Sequence, residues 1–235
     1  MKTSRIVKKL SELLMAMVMV VGFTAMAQAD LTVVGTGTFN GGTGENTVNG
    51  GYQLIYDSAQ NITWLDYSYC HVWQNSVNWA QNLVVNFNGQ NVSGWSLPST
   101  VDGPLNWSYN GTTSEGYNNT SSEMGYLYYT ELGNKGYYDK NGNPQSGYGF
   151  ANTAPFKNLY GNAFWSGTEY SADPLSAWVF GTVYGNQGVT SKSYAYYALA
   201  VLPGDVAATP TPIPAAALLL GSGLSGLIGM MRRRG

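Results

Sequence analysis

An apolar segment near the end of the chain constrains its fold more than any other feature. Ala215–Met231 carries no charged side chain and is followed by Arg232, Arg233 and Arg234. A helix over this segment is about 25 Å long, slightly less than a hydrocarbon core of about 30 Å. Arginines extend the reach of such a helix by snorkelling, and they favour the cytoplasmic side. The pattern predicts a transmembrane helix over 215–231 with a basic cytoplasmic end at 232–235.

A second apolar segment lies at the N-terminus. Its basic side chains are Lys2, Arg5, Lys8 and Lys9. They precede the apolar run Leu13–Ala25, and small residues follow at Ala27 and Ala29. This order is typical of a secretory signal peptide with its cleavage site. Residues 1–29 are therefore predicted to be a signal peptide, with an uncleaved signal anchor as the alternative.

The charge of the remaining chain excludes one class of partner. Of the 13 acidic residues only Glu12 lies before residue 30, so residues 30–231 carry 12 acids. The same residues contain four lysines and no arginine, which gives a net charge of −8. Nucleic-acid binding needs clustered cations that displace counterions from phosphates. The sequence therefore predicts no nucleic-acid partner.

Between the two ends, the chain is rich in Gly, Asn, Ser, Thr, Tyr and Trp. We interpret 30–51 as a flexible lead-in, 52–205 as one α+β domain and 206–214 as a Pro/Thr linker. Helices are predicted over Ser76–Phe87, with Asn75 as N-cap, and from the capping box Thr120–Glu123 to Gly133. The predicted strands are Gln53–Tyr56, Ile62–Leu65, Ala163–Ser166, Ala177–Val183, Val189–Ser191 and Tyr196–Leu202.

Two long polar loops hold the aromatic residues that are the best binding candidates. They are Ser99–Asn119 and Asn134–Phe156, and loops of this length are usually functional or disordered. Tyr and Trp offer flat apolar faces to sugar rings, and Asn orders hydroxyls by hydrogen bonding. The candidate ligand-binding residues are Trp107, Tyr109, Asn110, Tyr117, Asn118, Tyr137 and Tyr138. Trp95, Trp165 and Trp178 are predicted to lie in the core.

Several catalytic and metal sites lack the residues they need. One histidine and one cysteine leave hydrolytic triads and zinc sites incomplete, and Cys70 is predicted to be a small buried hydrophobe. Asp139–Asn143 has alternating oxygen ligands but is predicted to be an Asn-Gly turn, since Pro144 and Phe150 replace the Gly and Glu of a calcium loop. Carboxylate pairs such as Glu115 with Glu123, or Glu169 with Asp173, stay open as acid and base. The sequence predicts no cofactor, no metal and no enzymatic activity.

Three ordered elements carry a resemblance to a known family. Gly94–Pro98 resembles the G-W-x-L-P element of the Lcl C-terminal domain family, and Phe164–Ser171 resembles its W-S-S-T-x-Y-S signature. Residues 177–201 resemble its closing strands. The resemblance implies a C-type-lectin-like fold with two helices and a short antiparallel sheet, similar also to formylglycine-generating enzymes. That activity would be expected to use a cysteine pair, which this chain lacks.

The C-terminal segment is similar to a variant PEP-CTERM sorting signal. Its motif residues are Pro212, Ile213, Pro214, Arg232, Arg233 and Arg234, with Ile213 in place of the glutamate. The resemblance implies passage through the inner membrane of a Gram-negative bacterium and an exosortase-like processing protease as partner. Cleavage would release the domain to the cell surface or the exopolysaccharide matrix, whereas an uncleaved segment would be a permanent anchor.

These observations favour an exported, non-enzymatic, adhesin-like protein that binds a glycan or a surface protein through its loops. A structural component of the surface or extracellular matrix without a discrete ligand pocket is the alternative. A carboxylate-dependent enzyme acting on glycans is the more distant one.

Overall fold

The computed structural model describes residues 31–40 and 51–208. Within these ranges the strands are β1 (Leu31–Gly37), β2 (Tyr52–Asp57), β3 (Ile62–Val72), β4 (Val85–Phe87), β5 (Gln90–Val92), β6 (Gly116–Tyr117), β7 (Ala163–Glu169), β8 (Ser176–Gly181), β9 (Asn186–Ser191) and β10 (Ala195–Pro203). The helices are α1 (Trp73–Gln81) and α2 (Glu123–Tyr126), and α2 continues into a π-helical turn, Leu127–Glu131. The predicted α+β class is confirmed.

Eight of these strands form one sheet in the order β1-β2-β3-β10-β7-β8-β9-β6, and β4 pairs with β5 in a separate hairpin. The neighbouring pairs are antiparallel except β10 with β7, which is parallel. The prediction of a short antiparallel sheet is therefore wrong. The local pattern of each strand gives no information on the placement of β10, which joins two antiparallel groups into one large sheet.

Helices and loops cover the sheet on both faces, because successive residues of a strand point to opposite sides. Leu65, Trp165 and Ala200 pack in one hydrophobic cluster with α1 and the β4–β5 hairpin. Their neighbours pack in the opposite cluster with α2 and the π-helical turn; they are Trp64, Phe164 and Leu199. The central strands consequently read as continuous apolar runs.

The first part of the predicted flexible lead-in is a strand. Leu31–Gly37 pairs with Tyr52–Asp57 in antiparallel register, with an irregularity between Val33 and Gly35. The β-branched residues of the segment suit a pleated strand, although its glycines are typical of a loop. The interpretation of 30–51 as a flexible lead-in is therefore wrong for residues 31–37.

The first helix is shorter than predicted and starts earlier. It ends at Gln81, and Val72 is its N-cap, without a side-chain hydrogen bond. Val85–Phe87 belongs to β4 instead, because Asn88 and Gly89 have positive φ angles of 51° and 78° that suit a tight hairpin turn. In the predicted helix Ser76–Phe87, the spacing of Ala80, Leu83, Val84 and Phe87 would form one buried face, but Val84 is 47% exposed.

The second helix begins two residues later than the predicted capping box requires. The Ser122 hydroxyl accepts a hydrogen bond from Gly125 N and caps the helix. The Glu123 carboxylate turns away from the helix and accepts a bond of 2.7 Å from Ser99 N. The helical region ends, as predicted, before Gly133, whose φ of +61° suits a helix stop.

The core prediction holds for Trp95, Trp165 and Trp178, which are all buried. The prediction for Cys70 is wrong, because its thiol is exposed. Cys70 lies opposite Tyr197 in the β3–β10 pairing, towards the end of β3, where burial decreases along the strand.

The membrane-related predictions fall on residues outside the described ranges. These are the signal peptide 1–29, the helix 215–231, the basic end 232–235 and most of the linker 206–214. Within 31–40 and 51–208, no helix has the length and apolar character needed to cross a bilayer. Val206, at the start of the linker, is still attached to the sheet, since its N–H donates to Thr63 Oγ1 over 3.1 Å.

Candidate functional site

The two long polar loops meet at one side chain. Asn118 Nδ2 donates to the backbone oxygens of Tyr109 and Tyr138, at 2.8 and 3.0 Å. One amide thus binds both its own loop and the second loop. This contact places residues of the two loops on a common surface, although about 20 residues separate Asn118 from Tyr138.

Seven aromatic side chains form a continuous cluster on this surface, which we call the aromatic surface. It consists of Trp107, Tyr109, Tyr117, Tyr137, Tyr138, Tyr148 and Tyr184. Tyr117 lies at its centre, with ring centroids 5.6 Å from Trp107, 6.1 Å from Tyr109 and 5.1 Å from Tyr138. Tyr137 continues the cluster from Tyr138, at 4.7 Å. All five aromatic residues selected from the sequence therefore belong to one cluster.

The exposed members of the cluster are the ones able to contact a ligand. Trp107 is 46% exposed and Tyr184 is 50% exposed, whereas Tyr117 is buried beneath its neighbours. Burial raises the pKa of the Tyr117 hydroxyl, and the nearby Tyr138 adds to the effect. Tyr117 is consequently a neutral support for the outer rings.

Tyr148 and Tyr184 belong to the aromatic surface but were not selected from the sequence. Their rings are stacked at 6.1 Å with an interplanar angle of 16°. Tyr184 comes from the turn between β8 and β9, and its backbone oxygen accepts a bond of 2.7 Å from Tyr137 N. Gly185 marks a hairpin turn directly after Tyr184, and an aromatic residue in such a turn is expected to be exposed. The predicted strand Ala177–Val183 ends one residue before Tyr184 and does not include this signal.

Glycines hold the first loop close to its surroundings. Gly116 has a φ of +114°, and a Cβ atom there would lie 1.9 Å from Ser108 O. A Cβ atom on Gly111 would lie 2.1 Å from Asn118 O. The loop is therefore closely packed, which argues against the disordered alternative for a loop of this length.

Tyr129 anchors the aromatic surface to the π-helical turn. Its hydroxyl accepts a bond of 3.0 Å from Asn118 N and donates to Gly185 O. Burial raises its pKa to about 12, so the hydroxyl stays protonated and remains a donor. A single side chain thus fixes both Asn118 and the β8–β9 turn that carries Tyr184.

A polar groove of about 390 Å³ lies beside the aromatic surface. It is lined by amides, hydroxyls, one ammonium group and one glycine: Asn110, Gly111, Asn118, Thr120, Tyr129, Thr130, Asn134 and Lys140. Asn110 and Asn118 were candidate residues in the sequence. The groove supplies hydrogen-bonding groups next to the apolar rings, which is the combination that a sugar requires.

The carboxylates of the candidate acid–base pair Glu169 and Asp173 make different direct contacts. Glu169 forms an ion pair with Lys192, and Asp173 accepts bonds from Ser176 Oγ and Leu175 N at 2.7 and 3.1 Å. The Ser176 hydroxyl is the main cause of the lowered pKa of Asp173. These contacts stabilise loops and strand ends, and they hold the two carboxylates in different hydrogen-bonding environments.

The Asp139–Asn143 segment is a turn, as predicted. Its carboxylate accepts bonds from Asn141 N and Asn143 N at 2.8 and 2.9 Å, and Gly142 N donates to Asp139 O. Its pKa is lowered chiefly by the bond from Asn143 N. Among the described residues, no group of three or more His, Cys, Asp or Glu side chains is arranged to hold a metal ion.

Comparison with known protein families, characterised proteins and solved structures finds no match. The predicted cleavage residues Ala27 and Ala29, together with the sorting residues of the C-terminal segment, lie outside the described ranges. The aromatic surface and the polar groove are therefore the structural features from which a function is inferred.

Proposed function

We propose that this chain is an exported, non-enzymatic, adhesin-like protein that binds a glycan on its aromatic surface. The observation that carries the proposal is the meeting of Trp107 and Tyr109 with Tyr137 and Tyr138 beside the polar groove. Flat rings pack against the C–H faces of sugars, and neighbouring amides and hydroxyls bind the hydroxyl groups.

The charge of the molecule supports a glycan over nucleic acid. Residues 30–231 carry a net charge of −8, with four lysines as the only cations. Phosphate backbones need a dense cationic surface, whereas sugar rings are bound by aromatic rings and hydrogen bonds. The aromatic surface offers the second combination.

The fold proposal includes the C-type-lectin-like assignment and the resemblance to the Lcl C-terminal domain family. It is supported by a direct contact between two of the three elements that carry the resemblance, Gly94–Pro98 and Phe164–Ser171. Pro98 O accepts hydrogen bonds from Ser166 Oγ at 2.9 Å and from Gly167 N at 2.8 Å. These two elements are distant in sequence but form one structural unit.

The cellular part of the proposal rests on the two ends of the sequence. A signal peptide would direct export through the inner membrane, and the variant PEP-CTERM segment would hold the chain there, at least transiently. An exosortase-like protease is the proposed processing partner. The destination is the surface or extracellular matrix of a Gram-negative bacterium.

A glycan array probed with the 235-residue chain in mild detergent tests the binding proposal. Wild-type protein is expected to bind at least one glycan, and Trp107→Ala or Tyr184→Ala to weaken binding about tenfold, the cost of losing one aromatic anchor. Tyr194→Ala is the matched control, because Tyr194 is 56% exposed and lies outside the aromatic surface. Equal losses in all three variants would contradict the proposal.

The array also separates the proposed function from the structural alternative. No binding to any glycan, combined with concentration-dependent assembly in sedimentation experiments, would favour a matrix component without a ligand pocket. Glycan cleavage abolished by Glu169→Gln or Asp173→Asn would favour the enzymatic alternative.

A further inference from the structure

The charge inside the polar groove is opposite to that of the molecule around it. Acids outnumber bases by 12 to four over residues 30–231, yet the ionised side chain that lines the groove is Lys140. No carboxylate is among the lining residues. A local positive charge in an acidic domain attracts an anion to the groove.

Some of the polar groups at the groove are already used in holding its walls. Asn134 Oδ1 accepts bonds from Ala151 N and Asn152 N, and its Nδ2 donates to Asn152 O. Asn118 Nδ2 is bound to the two loop carbonyls described above. These amides belong to the scaffold, and they fix the shape of the groove before a ligand arrives.

Three polar side chains that line the groove have all their polar atoms available to a ligand. The hydroxyls of Thr120 and Thr130 and the ammonium group of Lys140 make no hydrogen bond to any other described residue. Thr120 directly follows the first loop, Lys140 lies in the second loop, and Thr130 comes from the π-helical turn. A ligand in the groove would therefore meet one cation and two neutral hydroxyls.

Lys140 differs in this respect from Lys192. Lys192 Nζ pairs with Glu169, donates to Pro174 O at 2.7 Å and lies 4.2 Å from the ring centroid of Trp73. Lys140 forms no ion pair with a described residue, and the adjacent Asp139 carboxylate accepts bonds from its own turn. The positive charge of Lys140 is thus not neutralised by a direct ion pair within the described structure.

We infer that the polar groove binds the anionic substituent of an acidic glycan, with Lys140 as its counter-ion. The inference rests on the proposed function, since the aromatic surface would hold the sugar rings next to the groove. The substituent is either a uronic-acid carboxylate or a sulfate ester. Both accept charge-assisted hydrogen bonds from an ammonium group, and hydroxyls at Thr120 and Thr130 would donate to the remaining oxygens.

Three polysaccharides separate the possible substituents: alginate for carboxylate, dextran sulfate for sulfate and dextran for a neutral chain. Binding is measured with the 235-residue chain and with Lys140→Ala and Lys135→Ala. Lys135 is exposed and does not line the groove, so its variant removes the same charge from a nearby site. Lys140→Ala is expected to weaken binding to one anionic polymer about tenfold, and Lys135→Ala less than about twofold.

The polymer that shows the selective loss identifies the substituent. Equal losses in the two lysine variants would overturn the inference, because they would indicate general electrostatic attraction. Wild-type preference for dextran over both anionic polymers would also overturn it, while leaving glycan binding in place. Binding to none of the three polymers would overturn the groove assignment, and the array with the Trp107 and Tyr184 variants would then decide separately on the aromatic surface.

Discussion

Asp66 and Asn158 are joined by two hydrogen bonds, although 92 residues separate them along the chain. Asn158 N donates to Asp66 Oδ1 at 2.9 Å, and Asn158 Nδ2 donates to Asp66 O at 2.9 Å. Asp66 also accepts from Lys157 N over 2.9 Å. The buried carboxylate thereby holds the segment with Phe156 and Leu159 against one face of the sheet.

Asp66→Ala is expected to lower the free energy of unfolding by about 3 kcal/mol, because two backbone N–H groups lose their acceptors, one of them in a buried hydrogen bond. Asn158→Ala should be less costly, and a double-mutant cycle should show a coupling of at least about 1 kcal/mol. Urea unfolding measures both values. Asp205→Ala is the control, because it removes a partly exposed carboxylate that accepts one bond, from Ala207 N. Strictly additive effects of Asp66 and Asn158 would contradict the prediction.

The same carboxylate predicts a pH dependence. Burial raises the pKa of Asp66 despite the bonds from Lys157 N and Asn158 N. Because the folded state then holds the proton more tightly than the unfolded state, this group's contribution to stability is full below pH 3.8 and falls as the pH rises through the raised pKa. The difference in unfolding free energy between wild type and Asp66→Asn should therefore change with pH in this direction. A pH-independent difference would show that the pKa of Asp66 is not raised.

Gly116→Ala should destabilise the first long loop by more than about 3 kcal/mol, since the new Cβ atom would overlap Ser108 O. Gly147→Ala is the matched control in the second loop. Gly147 also has a positive φ, of +69°, but no atom within 4 Å of the added Cβ, so a cost of about 1 kcal/mol is expected. Thermal or urea unfolding compares the two, and similar costs would indicate that Gly116 has room to move.

Tyr129→Phe is expected to cost about 2 kcal/mol near neutral pH, because Asn118 N and Gly185 O lose their shared partner. The wild-type hydroxyl has a pKa raised to about 12, against an ordinary 10.0. Its contribution is therefore full below pH 10 and is lost as the pH rises towards 12. Urea unfolding at pH 8 and pH 11 should show a steeper fall for wild type than for Tyr129→Phe, and parallel falls would contradict this assignment.

The Cys70 thiol should react stoichiometrically with Ellman's reagent in the folded protein, because it is exposed on β3. Cys70→Ser should change the free energy of unfolding by less than about 0.5 kcal/mol, as expected for a surface position. Reaction that occurs only after addition of urea would instead support burial of the thiol.

The parts of the fold that were predictable from sequence have local causes. The buried tryptophans and the helix stop at Gly133 each follow from neighbouring residues. The predicted end of the first helix, Phe87, is wrong, although the sequence contains a turn signal directly after it. Asn88-Gly89 marks a hairpin turn, but the helical spacing of Leu83, Val84 and Phe87 competed with it in the same window.

The site was only partly predictable for a different reason. Composition favoured aromatic residues of the two long loops, and the structure places them in one cluster. The contact between the loops depends on Asn118, and the added Tyr184 depends on the pairing of β8 with β9. Such long-range contacts have no periodicity in the sequence, so local sequence patterns do not reveal them.

Strand β10 is the last strand of the described chain, yet in the sheet it lies between β3 and β7. The hydrogen-bonded order joins the strands on its two sides only through it. A ribosome releases the N-terminus of the chain first, so among the described strands it releases the joining strand β10 last. Because non-local pairing is the slow part of folding, the edges of β3 and β7 that face β10 stay unpaired until Pro203 has emerged. The order of strands therefore delays completion of the eight-stranded sheet until almost all of the described chain has been released.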